Sequence, residues 1–221
     1  ILSGFMMLAI MFQSLVRGYA SVKRINEVLD SNPIVASGIE VNGIDGMEGT
    51  VEFRNVSFGY PNTDDTILSN INVKINKGEK IGILGATGSG KSTFVNLIPR
   101  FYDCTSGEVL VDGKNVKEYD LNVLREKIAI ALQKSELYSG TIRDNIKFNK
   151  EQVTDREIWE VLRTVGVHHF VKTLPGGLDY EVGDNDTISG GQKQLLTIAR
   201  GMIEDAPFLI LDEATSNVDT R

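Results

Sequence analysis

The chain has 221 residues, 41% of them hydrophobic and 24% charged, which suits a chain able to bury one sizeable core or one and a half domains. A net charge of −7 with no long Lys/Arg run argues against a nucleic-acid surface, so no nucleic-acid partner is expected. One cysteine, Cys104, excludes an internal disulfide and fits a reducing compartment, where it reads as a small space-filler.

Residues 1–16 (ILSGFMMLAIMFQSLV) are almost wholly apolar and uncharged. They fall short of the ~20 residues that span a bilayer and lack the basic start of a signal peptide. The reading is the end of a transmembrane helix in contact with membrane lipid. Arg17, Lys23 and Arg24 follow, which places what comes next on the cytoplasmic side. Val22, Ile25, Val28 and Leu29 continue the helical period until Asn32-Pro33 stops it, giving a first segment over 1–30. Residues 31–49 carry Pro33, Gly38, Gly43, Gly46 and Gly49 with little periodicity and read as a linker. The globular domain is expected over 50–221.

Val51–Tyr60 and Ile67–Ile75 alternate apolar and polar residues around a Pro61-Asn62 turn, which predicts two strands of a β-subdomain. Lys80–Leu84 (KIGIL) suits a buried parallel strand. Then comes Gly85-Ala86-Thr87-Gly88-Ser89-Gly90-Lys91-Ser92, the pattern G-x-x-x-x-G-K-[ST], followed by Thr93 and by Phe94, Val95, Leu97, Ile98 and Phe101 at helical spacing. Strand, glycine-rich turn and helix stand in the order a phosphate loop requires. The glycines permit a tight backbone, their N–H groups can wrap phosphate oxygens, and Lys91 neutralises charge.

Glu108–Val111 and Ile128–Leu132 are further strand candidates. From Gly140 to Gly166 the pattern turns helical, with Thr154 as N-cap and Ile158, Trp159, Val161, Leu162 and Val165 as the buried face; a helical subdomain is expected over about 134–204. His168 and His169 are adjacent and lack the spacing or partners of a metal site. Gly190–Ile203 is a helix, and Phe208–Leu211 a strand that delivers Asp212 and Glu213 at its C-terminal end, where open parallel sheets place ligands. Neighbouring strand side chains point to opposite faces, so one carboxylate would face Mg²⁺ and phosphate and the other a water.

Ile188-Ser189-Gly190-Gly191-Gln192 resembles the LSGGQ signature of the ATP-binding cassette (ABC) family, and together with the phosphate loop it identifies the chain as a member. The resemblance implies an α/β P-loop ATPase fold with an antiparallel β-subdomain and a helical subdomain. ATP and Mg²⁺ would be its ligands. Tyr60 is similar to the aromatic residue that stacks on adenine. Gly85 to Thr93 would hold the phosphates, and Ser92, Gln133 and Asp212 the Mg²⁺. Lys91, Gln133 and Glu213 would be catalytic, with Glu213 as the base. Ser189, Gly190, Gly191 and Gln192 would face ATP held by a second nucleotide-binding domain, and Asp219, in Ser216-Asn217-Val218-Asp219, would align the two sites.

The helix entering the ATPase domain looks like the last of a fused exporter half, in a cell membrane, plasma or inner, with transmembrane coupling helices as further partners. A soluble ATP-gated clamp and a non-hydrolysing regulatory half are the alternatives. Tyr180-Glu181-Val182-Gly183 resembles an exporter-specific loop, although Asp184-Asn185-Asp186 departs from its usual continuation; Leu195 and Ile188 depart from the signature helix's usual arginine and leucine. Family units run on past the equivalent of Arg221 to a switch histidine, so the 221-residue chain alone is expected to bind nucleotide weakly and hydrolyse little.

Overall fold

The computed structural model describes residues 2–30, 33–61, 63, 65–131, 136–148, 150–183 and 187–212. The chain divides into two compact units, Ile1–Ala36 and Ser37–Arg221.

The first unit is one helix, α1 (Leu2–Leu29), and by length and composition it is long and apolar enough to cross a membrane. Its 28 residues would extend about 42 Å at the α-helical rise. None of its side chains is buried by protein. Polar groups gather in its C-terminal half, where the Ser21 hydroxyl donates to the Arg17 carbonyl at 3.0 Å and Lys23 lies 4.0 Å from Glu27.

In the second unit, the stretch that reads as a linker is held to the domain from Ser37 onward. Gly38 N–H donates to the Tyr119 carbonyl at 2.8 Å, Glu40 N–H to the Glu118 carbonyl at 3.0 Å, and Asp120 N–H to the Glu40 carbonyl at 2.8 Å. Gly38 is required there, because a Cβ would run into the Glu118 carbonyl. Low periodicity in this stretch therefore marks an ordered, docked segment.

Strands β1 (Val51–Phe58), β2 (Leu68–Ile75), β3 (Ser106–Val111) and β4 (Lys114–Asn115) form an antiparallel sheet in the order β2-β1-β3-β4. Alternation turns Val51, Phe53, Val56 and Phe58 inward. Val51 pairs with Ile75 on one side and Val111 on the other. Asp112 and Gly113 join β3 to β4, both at positive φ (51° and 77°), the conformation of a two-residue type I′ hairpin turn. The buried Asp112 carboxylate accepts from Gly49 N–H at 2.7 Å and from Lys127 at 2.8 Å.

Helix α2 (Lys91–Asn96) is shorter than its apolar spacing predicts. Pro99 has no N–H to continue the ladder and restricts the residue before it, so the chain closes in tight turns, Leu97 N–H to Phe94 O and Arg100 N–H to Leu97 O. Leu97 and Ile98 are still buried, but Phe101 is exposed.

Helix α3 (Leu121–Glu126) leads to β5 (Ile128–Ala131). A two-residue strand β6 (Gly140–Thr141) opens the helical subdomain, followed by α4 (Ile142–Lys147), α5 (Asp155–Thr164), α6 (His168–Thr173), a 3₁₀ turn at Gly177–Asp179, β7 (Glu181–Val182) and α7 (Gly190–Ile203); β8 (Phe208–Leu211) closes the order. β5 and β8 pair in parallel, Ile128 against Phe208 and Ala131 against Leu211. The short strands β6 and β7 pair antiparallel, a feature too brief to leave a period in the sequence. Ile142, Ile146, Ile158, Leu162, Val171, Leu196 and Ala199 form the second core. Trp159 packs against it, as its spacing predicts.

One expected element is absent. Lys80–Leu84 joins no ladder, and Ile81, Ile83 and Leu84 are exposed, Leu84 to 96%. Ile81 and Ile83 instead line a cavity of about 330 Å³ that Phe208–Leu211 also lines. An apolar run becomes a strand only when a partner edge lies within hydrogen-bonding reach, and Lys80–Leu84 shares a cavity with β8 but no ladder.

Candidate functional site

Residues Gly82–Ser89 run on the surface, and the backbone turns into α2 through Gly88 and Gly90, at φ 82° and 87°. Both values belong to the left-handed region, which side chains disfavour. Space restricts the loop as well, since a Cβ on Gly85 would lie 2.6 Å from Ser89 Oγ. Lys91 folds back over it and donates from Nζ to the carbonyls of Gly85 and Ala86, each at 3.0 Å. Both acceptors are uncharged, so the ammonium keeps its charge available for an anion. Ser92 is exposed beside it, and Thr93 is buried.

Tyr60, two residues beyond β1, donates to or accepts from Thr93 Oγ1 at 3.2 Å. The hydroxyl thus ties the ring to the first turn of α2. Tyr60 therefore sits close to the residues that follow the glycine loop.

Asp212 follows β8, and its N–H donates to the Ala131 carbonyl at 3.0 Å. It lines the 330 Å³ cavity together with Lys91. The structure so gathers Lys91 and Asp212 at one cavity although 121 positions of sequence separate them. Gln133, Glu213, the Ser216–Asp219 stretch and Asp184–Asp186 lie outside the described residues.

The second motif begins α7. Ser189 is the N-cap: its Oγ accepts from Gln192 N–H at 3.3 Å, and Gln192 Oε1 accepts from Ser189 N–H at 2.9 Å. This reciprocal capping box satisfies two backbone donors and leaves the serine's own proton free to donate outward. Ser189 and Gly190 are exposed, and a Cβ on Gly190 would meet open space. Ile188, just before the cap, is buried in the second core and anchors the turn.

Two features are not visible as motifs. Arg200, three turns along α7, donates from Nε to the Asn145 carbonyl at 2.7 Å and from Nη2 to Asn145 Oδ1 at 2.8 Å. Its guanidinium also lies 4.8 Å from the Tyr138 ring and 5.6 Å from Phe148, which stack on each other at 5.4 Å. Burial depresses the Arg200 pKa. Arg200 fastens residues 136–145 to α7 alongside the apolar contacts of the second core, and no sequence pattern announces it. The other feature is Tyr102, whose ring stands 5.1 Å from that of Tyr60 at 86°. Nothing in a lone Phe101-Tyr102 pair announces that contact.

The Tyr180–Gly183 segment pairs through β7 with β6, and Ile142 N–H donates to the Tyr180 carbonyl at 3.0 Å. Arg143 links the preceding 3₁₀ turn to α5, with Asp179 at 3.0 Å and Asp155 as its second carboxylate. The His168 and His169 rings lie 3.9 Å apart, tilted at 40° to one another.

Residues 68–216 match the sequence profile of the ABC transporter. The chain belongs to the ABC transporter family. It is 40% identical over 207 residues to the ATP-dependent lipid A-core flippase of Syntrophus aciditrophicus (strain SB), a match that covers 93% of this chain and 34% of that protein. Among solved structures, a bacterial Atm1-family ABC exporter with ATP bound superposes with a TM-score of 0.85 at 32% identity, over 97% of this chain and 38% of the exporter. The ABC chain described here therefore spans about a third of the length of these relatives.

Proposed function

We propose that this chain is the ATP-binding and ATP-hydrolysing part of an ABC exporter, in which two such domains close head to tail around two nucleotides and drive export across a membrane. The observation that carries this reading is the pairing of two anion-ready sites on one chain. One is the glycine loop with the Lys91 ammonium, and the other is the exposed Ser189-Gly190 start of α7. A single triphosphate does not need both on one copy, whereas two copies in opposite orientation use each loop with the partner's helix start.

The residues present suit MgATP. The left-handed glycines hold the loop in a tight exposed turn, and Lys91 rests on neutral carbonyls that an incoming phosphate can replace. Ser92 and Asp212 offer oxygen ligands of the kind Mg²⁺ prefers, with Gln133 as a third. The ion would neutralise phosphate charge and orient the transferred group. Glu213, directly after Asp212, would position the attacking water. Tyr60 offers an aromatic face for the base, and the resemblance to the flippase and the ATP-bound exporter supports adenine as that base.

Helix α1 would be the membrane-facing end of the last transmembrane segment, placing the ATPase on the cytoplasmic side. Its length, its apolar composition and the cluster Arg17, Lys23 and Arg24 support that orientation. The segments Glu136–Phe148 and Tyr180–Gly183 would receive the coupling helices, and Arg200 would carry their movement to Ser189. Sedimentation of the membrane-extracted full-length Glu213→Gln protein's nucleotide domains, with and without MgATP, tests the head-to-tail reading. A dimer formed only with MgATP supports it, and domains that stay apart at saturating MgATP contradict it.

A further inference from the structure

Tyr60 is braced by two rings. Phe58 stands 5.0 Å away at 82°, Tyr102 5.1 Å away at 86°, and Phe58 and Tyr102 are 5.7 Å apart. These three distances describe a nearly equilateral triangle of ring centres, so the three rings form one compact cluster at the end of β1. Edge-to-face pairs of this kind bring a ring's positive edge to the other's negative face, which fixes the angle between them as well as the distance.

The two braces differ in what else they do. Phe58 is a core residue, 2% exposed. Tyr102 keeps 36% of its surface exposed, so its ring stands at the edge of the core and not inside it. The backbone around it is nonetheless tightly held. Arg100, itself buried, pairs with Asp103 at 2.7 Å; Thr105 N–H donates to the Ser57 carbonyl at 2.9 Å; and Gly59 N–H donates to Thr105 Oγ1 at 3.2 Å. The turn that carries Tyr102 is therefore stitched to the end of β1, which carries Tyr60. At its far tip Tyr60 meets Thr93 Oγ1, two residues after Lys91.

We propose that Tyr102 is a positioning residue for nucleotide binding: its ring sets the angle of Tyr60 as a base-stacking platform, while Thr93 sets that platform's height above the phosphate loop. The inference rests on the reading of Tyr60 as the surface for the base. A ring held in place before the ligand arrives costs no ordering on binding, so a loosened Tyr60 would stack more weakly. The phosphate loop makes no use of Tyr102, and so a triphosphate without a base should not sense it.

Equilibrium dialysis of the full chain against MgATP and, separately, Mg-tripolyphosphate reads this difference. Tyr102→Ala is expected to weaken MgATP binding about twofold to tenfold, with tripolyphosphate unchanged. Tyr102→Phe should behave as the wild type, and Tyr102→Leu, which keeps apolar bulk without a ring edge, should match Tyr102→Ala and serves if the alanine variant does not fold. Tyr60→Ala should cost MgATP about fivefold to a hundredfold and spare tripolyphosphate. If Tyr60→Ala weakens MgATP while the alanine and leucine variants at 102 do not, or weaken both ligands alike, Tyr102 only supports the fold and the inference is wrong. If Tyr60→Ala leaves MgATP binding intact, the platform reading falls and this inference with it.

Discussion

Ser189 and Gln192 exchange hydrogen bonds at the start of α7, each side chain accepting from the other's backbone N–H, at 3.3 Å and 2.9 Å. The pair therefore has a structural duty that is separable from any contact with nucleotide.

That separation can be measured. Removing the cap with Ser189→Ala in the full-length protein should cost about 1 kcal/mol of stability and abolish ATP hydrolysis. Ser189→Asp keeps an N-cap acceptor but brings negative charge to a place proposed to face phosphate. Thermal melts should return to near the wild-type value while hydrolysis stays lost. An active aspartate variant would show that the second motif does not meet phosphate.

Arg200 offers a prediction about stability. Its hydrogen bonds to Asn145 and its place over Tyr138 and Phe148 are lost together in Arg200→Ala, leaving the buried Asn145 without a donor it now has. Charge-assisted hydrogen bonds contribute about 1.5–3 kcal/mol each and a desolvated cation–π contact can add ~1–2; the cost of desolvating the guanidinium offsets part of that sum, so a loss of about 3 kcal/mol is expected in urea unfolding. Arg200→Lys should recover only part of it, because an ammonium cannot make the same two-pronged contact. Full recovery by lysine would show that charge alone matters.

Low pH should weaken the helical subdomain. Hydrogen bonds from the Thr141 hydroxyl and N–H hold the Asp144 carboxyl below its ordinary range, and those from the Thr154 N–H and hydroxyl do the same for Glu157. The folded state thus binds fewer protons than the unfolded one. The stabilisation is complete above the ordinary carboxylate range of about pH 4 and is lost as pH falls through the depressed folded values. Melting temperatures followed from pH 6 to pH 3 should fall, and Asp144→Asn with Glu157→Gln should flatten the slope. An unchanged slope would mean that other carboxylates govern acid unfolding.

The sequence is most legible where chemistry demands a fixed order of residues. Gly85–Ser92 and Ser189–Gln192 are local motifs whose backbone needs are written in glycines and a cap: Gly88 and Gly90 turn left-handed, and Ser189 caps α7. Alternation likewise finds β1, and helical spacing finds α5 and α7. Lys80–Leu84 fails because its pattern records a wish for burial, whereas a strand needs a neighbour's edge, and Phe208–Leu211 shares a cavity with it but no ladder. α2 ends early because Pro99 overrides the spacing around it. Residues 37–49 look like a loose connector because their order comes from distant partners, Asp112 and Tyr119. Tyr102 and Arg200 were illegible for the same reason: their meaning lies in residues far along the chain.

In the proposed function, the Gly85–Ser92 loop binds the triphosphate of ATP through Lys91. Equilibrium binding of MgATP to the full chain and to its Lys91→Ala variant tests it most directly. Saturable binding is expected for the wild type, weakened about tenfold to a hundredfold in the variant with an unchanged melting temperature in the absence of nucleotide. Equal affinities for the two proteins, both folded, would contradict it.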